Sequence, residues 1–188
     1  MLLALDVGNT NIVFGVHDGA HWAHTWRVQT VRDRMPDEYA VMFRTFLSEA
    51  GLSFDELDHV ILSSVVPSLT AGLSEMVADR TGYPPLVVSH TINTGIRITV
   101  PRPDRVGSDR IADAVAAFDR CRGNCIVVDF GTATAFTVVA EPGELIGAVI
   151  AAGLLTTAYA LVQRTAQLPQ VELIAPETAI GRDTVHAM

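Results

Sequence analysis

The chain has 188 residues, of which 49% are hydrophobic, enough for one large domain or two small ones with a packed core. Its net charge of −8 disfavours a nucleic acid or an anionic membrane as a partner. The sequence contains no run of eighteen apolar residues, so no transmembrane helix is predicted. All thirteen basic residues are arginines, which excludes a P-loop because that motif needs a lysine.

The first predicted strand begins at residue 2 without a signal peptide before it, which favours a cytoplasmic protein. Three strands are predicted at the start of the chain, over 2–6, 12–16 and 22–28. A hairpin turn is predicted at 17–19, between the second strand and the third. In the third strand, Trp22, His24 and Trp26 would share one face. That face belongs either to an ordinary amphipathic strand or to a dimer surface.

The rest of the chain alternates helices and strands. A helix, a strand, a second helix and a short strand are predicted first; a helix with Ser108 as its N-cap, three strands and a last helix follow. The first helix, strand, second helix and short strand cover 36–51, 59–66, 67–80 and 85–89. The helix after Ser108 covers 109–121, the next two strands together cover 125–140, the third covers 143–153, and the last helix covers 154–167. This order predicts a mixed α/β fold.

Two distant stretches repeat each other, ALDVGNTNIVFGV at 4–16 and VVDFGTATAFTVV at 127–139. In this alignment Asp6 falls on Asp129 and Gly8 on Gly131. Each copy is an apolar strand, an Asp-x-Gly turn with a small polar residue, and a second apolar strand, and a third strand follows both. Two separated copies predict two similar lobes that face each other across a cleft.

The two Asp-x-Gly turns have the composition of a phosphate site. Glycine lets backbone N–H groups approach an anion, and Asn9, Thr10 and Thr132 add short donors. A carboxylate at the strand end suits a magnesium ion, held through water, that bridges the phosphates. One such turn alone is ordinary turn chemistry, but two matched copies favour phosphate binding, with Asp6 on the metal side.

The stretch DRVGSDRIADAVAAF, residues 104–118, opens a predicted helix with an acid in its first turn. Asp109 has two interpretations. It either stabilises the helix dipole or accepts a proton from a substrate hydroxyl, with Arg110 beside it to bind a carboxylate as a fork. In phosphoryl transfer, a carboxylate in this role mainly orients the hydroxyl.

The chain resembles the type III pantothenate kinases, which belong to the acetate and sugar kinase/Hsp70/actin superfamily. The matching stretches are DVGNTN at 6–11, SSVVPSL at 63–69, VGSDR at 106–110, VVDFGTATAF at 127–136 and IGRDTVHAM at 180–188. The resemblance implies ATP-dependent phosphorylation of pantothenate to 4'-phosphopantothenate, the first step of coenzyme A biosynthesis. It also implies a homodimer.

The resemblance further implies duplicated actin-like (ribonuclease H-like) lobes with mixed sheets flanked by helices. We expect an N-terminal lobe over 1–110 and a C-terminal lobe over 111–188. Members of the family continue for several elements beyond the position of Met188, so the second lobe is expected to be incomplete.

Site residues carried over from the family fall into three groups. Those expected to bind ATP are Asp6, Val7, Gly8, Asn9, Thr10, Asn11, Ile12, Val13, Gly131 and Thr132. Those expected to contact pantothenate are Gly107, Ser108, Asp109, Arg110 and Thr184, with Asp109 as the proton acceptor. Asp129 would hold a monovalent cation, potassium or ammonium, and Asp6 would hold Mg²⁺ through water.

Several positions depart from the family pattern. Val100 stands where a tyrosine is common, and Thr137 stands where an acid is usual. Ala148 replaces a glycine and Ala152 replaces a proline. The sequence GSDR at 107–110 replaces the usual GADR. These departures leave an alternative function open, a catalytically impaired, nucleotide-binding regulatory relative. The intact acids at 6, 109 and 129 favour the kinase.

Overall fold

The computed structural model describes residues 1–188, which form nine strands and four α-helices. The strands are β1 Leu2–Val7, β2 Asn11–His17, β3 Trp22–Gln29, β4 His59–Ser64, β5 Leu86–Val87, β6 Arg97–Ile98, β7 Cys125–Phe130, β8 Ala133–Ala140 and β9 Glu144–Ala152. The helices are α1 Pro36–Glu49, α2 Pro67–Thr81, α3 Ser108–Cys121 and α4 Leu154–Arg164. None of the helices combines the length and apolar character that a membrane crossing requires.

The first sheet has the strand order β3-β2-β1-β4-β5, with β1, β2 and β3 antiparallel and β4 and β5 parallel to β1. One face carries alternate apolar side chains that pack under α1; the rings of Phe14 and Phe43, for example, lie 4.4 Å apart. This core contains 20 buried hydrophobic residues. The first lobe therefore contributes most of the hydrophobic stabilisation of the chain.

The second sheet has the order β6-β9-β8-β7 and a much smaller core, with three fully buried hydrophobic residues, Ala114, Val139 and Leu145. Helix α3 connects the two sheets, since its first turn contacts β4 and its length packs on β7 and β8. On the other face of this sheet, Ile126 and Phe130 are exposed. Strand β6 lies before the expected lobe boundary at residue 110 but pairs with β9 in the second sheet.

The predicted repeat is present in the structure. In the first lobe Asp6 pairs with Val13 across β1 and β2, and in the second Asp129 pairs with Ala135 across β7 and β8. A third antiparallel strand follows each hairpin. The repeat was therefore sufficient to predict both three-stranded units.

Three local predictions were wrong. A β-bulge where Val16 and His17 meet β3 turns Trp22 to the opposite face from Trp26, so the two indoles do not form one surface. Gly107, not Ser108, is the N-cap of α3, and Ser108 is the first helical residue. The last helix ends at Arg164, and residues 165–188 contain no helix or strand.

Candidate active site

A groove of about 530 Å³ runs between the first sheet, α3 and the end of β7. Four carboxylates line it, those of Asp6, Asp109, Asp113 and Asp129. They come from β1, α3 and β7, so acids more than one hundred residues apart in sequence meet at one surface. Asp6 and Asp129 share a groove, as the repeat predicts.

The two Asp-x-Gly turns meet each other beside the groove; Asp6 and Asp129 line it, whereas the glycines and threonines of the turns do not. In the first turn, the Gly8 N–H donates to the carbonyl of Asn11 at 3.0 Å, and in the second the Gly131 N–H donates to the carbonyl of Ala133 at 2.9 Å. The hydroxyls of Thr10 and Thr132 are 2.7 Å apart and form a hydrogen bond between the lobes. Both glycine N–H groups are thus used within their own turns, and the two turns touch through their threonine side chains.

Asp6 lies at the end of β1, next to Ser63 of β4. Loss of surrounding water raises the pKa of Asp6, a hydrogen bond from the Ser63 hydroxyl lowers it, and the charges of Asp109 and Asp129 raise it again, with a net upward shift. A carboxylate with this surplus of negative charge around it gains from a bound cation.

Asp109 is held at the start of α3. Its Oδ1 accepts a hydrogen bond from the N–H of Arg110 at 2.7 Å and lies against Gly107, where an added Cβ would be 2.3 Å from it. The second carboxylate oxygen is left for a ligand in the groove. A glycine at 107 thus leaves space for the carboxylate in this position.

Asp113 was not identified from the sequence. It lies one helical turn after Asp109 on the same face of α3, a spacing of four residues that the sequence displays. Loss of surrounding water, followed by the charges of Asp129, Asp109 and Asp6, raises the pKa of Asp113 to about 6. The groove therefore contains one carboxylate more than the motifs alone predict.

Ser108 is buried, and its hydroxyl connects α3 to the end of β4. Its Oγ accepts from the N–H of Ser64 at 2.8 Å, donates to the Ser64 carbonyl at 3.0 Å, and lies 3.1 Å from the Ser63 hydroxyl. These contacts occupy the side chain, so a contact between this residue and a substrate would use its backbone.

A second cavity, of about 310 Å³, lies beyond the start of α3 and is called here the arginine cavity. Three arginines line it, Arg102, Arg105 and Arg110, and Arg102 forms an ion pair with Asp104. Its other lining residues are Val100, Pro101, Val106, Thr137, Leu145, Gly147 and Ala148. Three of the departures from the family pattern, at 100, 137 and 148, therefore fall in one cavity.

The remaining predicted site residues differ in how they face the groove. The side chains of Val7 and Ile12 are buried in the core, which leaves only their backbone for a ligand, whereas Val13 lines the groove. Thr184 is exposed in the last segment and lines neither cavity.

No group of three or more His, Cys, Asp or Glu side chains is close enough to hold a metal ion directly. The four carboxylates line one groove without forming such a group. Mg²⁺ usually keeps several water ligands and binds one or two carboxylates together with substrate phosphates. The donor set of Asp6 and its neighbours fits a hydrated ion of that kind.

Sequence comparison gives a family. Residues 2–188 match the profile of the type III pantothenate kinase family. The chain is 46% identical to a type III pantothenate kinase from Geobacter sulfurreducens and 45% identical to one from Moorella thermoacetica. Both matches cover all of this chain and 74% of the relative, so the chain spans about three quarters of the length of these proteins.

Solved structures support the fold. A conserved Baf family protein from Campylobacter jejuni matches 98% of this chain and 70% of its own, with a TM-score of 0.55 and 17% identity. The ethanolamine utilization protein EutJ from Carboxydothermus hydrogenoformans matches 86% of this chain and 55% of its own, with a TM-score of 0.50 and 18% identity. The architecture is the expected actin-like one, with two mixed sheets flanked by helices.

Proposed function

This chain belongs to the type III pantothenate kinase family, enzymes that phosphorylate pantothenate in coenzyme A biosynthesis, and we propose that the groove between its two lobes is where the transfer takes place. ATP is the co-substrate of this kinase. The roles of individual residues, the ions and the assembly described below are part of the proposal.

The observation that carries the proposal is the meeting of the two Asp-x-Gly turns. A hydrogen bond of 2.7 Å joins the side chains of Thr10 and Thr132, so the two turns, one from each lobe, are in direct contact. Successive N–H groups in such turns bind phosphate oxygens. We therefore place the phosphates of ATP at residues 6–13, 131 and 132.

Two ions are included in the proposal. Asp6 would hold Mg²⁺ through water, and Asp129, at the end of β7, would hold potassium or ammonium. The upward shift in the pKa of Asp6, caused by lost hydration and by Asp109 and Asp129, supports a cation at this position. Bound Mg²⁺ would offset the charge of the transferred phosphoryl group.

Pantothenate carries a primary hydroxyl at one end, a branched apolar segment, and a carboxylate at the other end. The arginine cavity combines matching chemistry, since Val100, Val106 and Leu145 form an apolar wall and Arg105 and Arg110 present guanidinium groups. We propose that the carboxylate lies in this cavity and that the hydroxyl extends toward Asp109 in the groove.

Asp109 would position the hydroxyl for in-line attack. The hydroxyl oxygen forms a bond to the γ-phosphorus, the bond from that phosphorus to the ADP oxygen breaks, and the hydroxyl proton passes to the Asp109 carboxylate. Because Oδ1 is already fixed by the Arg110 N–H, the carboxylate is oriented before substrate binds. Gly107 and Ser108 would contribute backbone contacts.

The homodimer and the cytoplasmic location expected from the resemblance belong to the same proposal, as does a contact between Thr184 and pantothenate. Dimerisation has a direct test, since light scattering after gel filtration would give twice the mass of one chain. A mass of a single chain at micromolar concentration would count against the dimer.

The test of the proposed mechanism is a coupled assay of ADP release with ATP and pantothenate. The unsubstituted protein should turn over, and Asp109→Asn should lower kcat by about a hundredfold or more while the Kd for MgADP stays within twofold. Exposed Asp79→Asn on α2 is the matched control and should leave kcat unchanged. Equal activity of the Asp109→Asn variant would contradict the assigned role.

A further inference from the structure

Arg32 lies beside the first Asp-x-Gly turn, on the segment that leads from β3 to α1. Its Nη2 donates a hydrogen bond of 3.0 Å to the side-chain carbonyl of Asn9. Among the arginines of the chain, it is the one whose side chain hydrogen-bonds to a residue of either turn. Nothing in the stretch TVRDRMP, residues 30–36, marks Arg32 as a binding residue.

The backbone around Arg32 is anchored on both sides. Thr30 donates from its hydroxyl to the Gly8 carbonyl at 2.7 Å and from its N–H to the Thr10 carbonyl at 2.9 Å. On the other side, the N–H and carbonyl of Val31 each hydrogen-bond to the hydroxyl of buried Tyr39 at 3.0 Å. The main chain thus holds Arg32 at the turn, while its side chain remains exposed.

The guanidinium has unused binding capacity. An arginine offers five N–H donors, and here one of them contacts a neutral amide oxygen. Arg32 has no carboxylate partner in the structure, whereas Arg102, for example, is paired with Asp104. A cation in this state can add hydrogen bonds to an anion without first breaking an ion pair.

Arg32 does not itself line the groove, but the turn that it contacts follows directly on Asp6, which does, and the charge of the groove favours a cation there. Four carboxylates line it, and the chain has no lysine that could approach phosphate in their presence. Mg²⁺ offsets only part of the combined charge of these acids and a triphosphate. A guanidinium suits phosphate because it can donate two parallel, charge-assisted hydrogen bonds.

We propose that Arg32 is a phosphate-binding residue of this kinase, which donates to the β-phosphate oxygens of the nucleotide while it remains beside Asn9. The inference rests on the proposed placement of the phosphates at the first turn. It adds a residue from outside both repeated motifs, and it assigns the positive charge that a P-loop would take from its lysine.

Calorimetric titration of the full-length protein with MgADP and with adenosine tests the inference without requiring turnover. Arg32→Gln should weaken MgADP binding about tenfold to a hundredfold, the loss expected for one or two charge-assisted hydrogen bonds. Adenosine binding should stay within twofold, since adenosine has no phosphate. Arg32→Lys keeps the charge and should recover part of the affinity for MgADP.

Arg34→Gln is the matched control, because Arg34 lies two residues away but covers the ring of Tyr39 and does not contact the turn. It should bind MgADP like the unsubstituted protein. The inference is wrong, while the proposed function stands, if Arg32→Gln binds MgADP within twofold of the unsubstituted protein. It is also wrong if the variant loses as much affinity for adenosine as for MgADP. If the unsubstituted protein does not bind MgADP at all, the proposed function itself is wrong and the inference fails with it.

Discussion

At the scale of single residues, a few small groups determine where the carboxylates of the groove point. Asp109 folds back on its own helix start, and the absence of a side chain at Gly107 leaves room for it. The GSDR motif predicted an acid at this place, but its orientation depends on a hydrogen bond to Arg110 that a sequence does not display. Asp113 belongs to no motif, and only its spacing of four residues from Asp109 along α3 indicates its place in the groove.

Gly107→Ala should separate the position of the Asp109 carboxylate from its charge. The added methyl group would lie 2.3 Å from Oδ1, so the carboxylate must rotate away. The backbone at Gly107 has a φ of −60°, which alanine adopts without strain, so the substitution should not disturb the main chain. We expect kcat to fall at least about tenfold with a change in the free energy of unfolding below about 1 kcal/mol. Unchanged kcat would show that this carboxylate orientation is not the one used.

Asp113→Asn should alter the pH dependence of stability. The folded chain binds the Asp113 proton more tightly than the unfolded chain, because lost hydration and the neighbouring carboxylates raise its pKa from 3.8 to about 6. Between these values the free energy of unfolding of the unsubstituted protein therefore falls as pH rises. The variant lacks this loss, so it should be more stable above pH 6 and equal below pH 4.

We expect the difference to be about 1 kcal/mol at pH 8, less than the full shift implies, because the side chain is partly exposed to solvent. Urea unfolding in the absence of nucleotide and Mg²⁺, at pH 4 and pH 8, measures it. Asp79→Asn, on the exposed surface of α2, serves as the control. A variant that is less stable than the unsubstituted protein at pH 8 would show that the carboxylate is favourable where it is.

At the scale of elements, the strand and helix pattern was predictable wherever apolar residues alternate or recur at helical spacing. Both three-stranded units follow from the repeat, and the main helices begin close to Pro36 and Pro67 as expected. The β-bulge beside Trp22 could not be predicted, because a register shift depends on the partner strand. The cap of α3 was misplaced because the Ser108 hydroxyl bonds to β4 and not to its own helix.

Ser108→Ala tests the connection between α3 and β4. Removal of the hydroxyl leaves the Ser64 N–H and carbonyl without the contacts of 2.8 and 3.0 Å, at a site where Ser108 is 7% exposed. The free energy of unfolding should fall by about 1–3 kcal/mol in chemical denaturation. Ser48→Ala, at an exposed position of α1, should cost under about 0.5 kcal/mol. Equal effects of the two substitutions would show that the connection contributes little.

At the scale of the whole molecule, the duplicated hairpin brings the two Asp-x-Gly turns into contact and their acids to one groove. Facing lobes were predictable from two matched motifs, and the meeting of Asp6 with Asp129 followed from that. The arginine cavity was not predictable, since it assembles Arg102 and Arg105 with Thr137 of a distant strand. Such a cavity depends on how α3 packs against the second sheet.

The central claim is that one nucleotide is held by both turns at once, and amide hydrogen exchange with and without MgADP tests it most directly. We predict that MgADP slows exchange in peptides that cover residues 6–13 and also in those that cover 129–134, with the same dependence on nucleotide concentration. Protection confined to one of the two turns, or absent from both at saturating MgADP, would contradict the account.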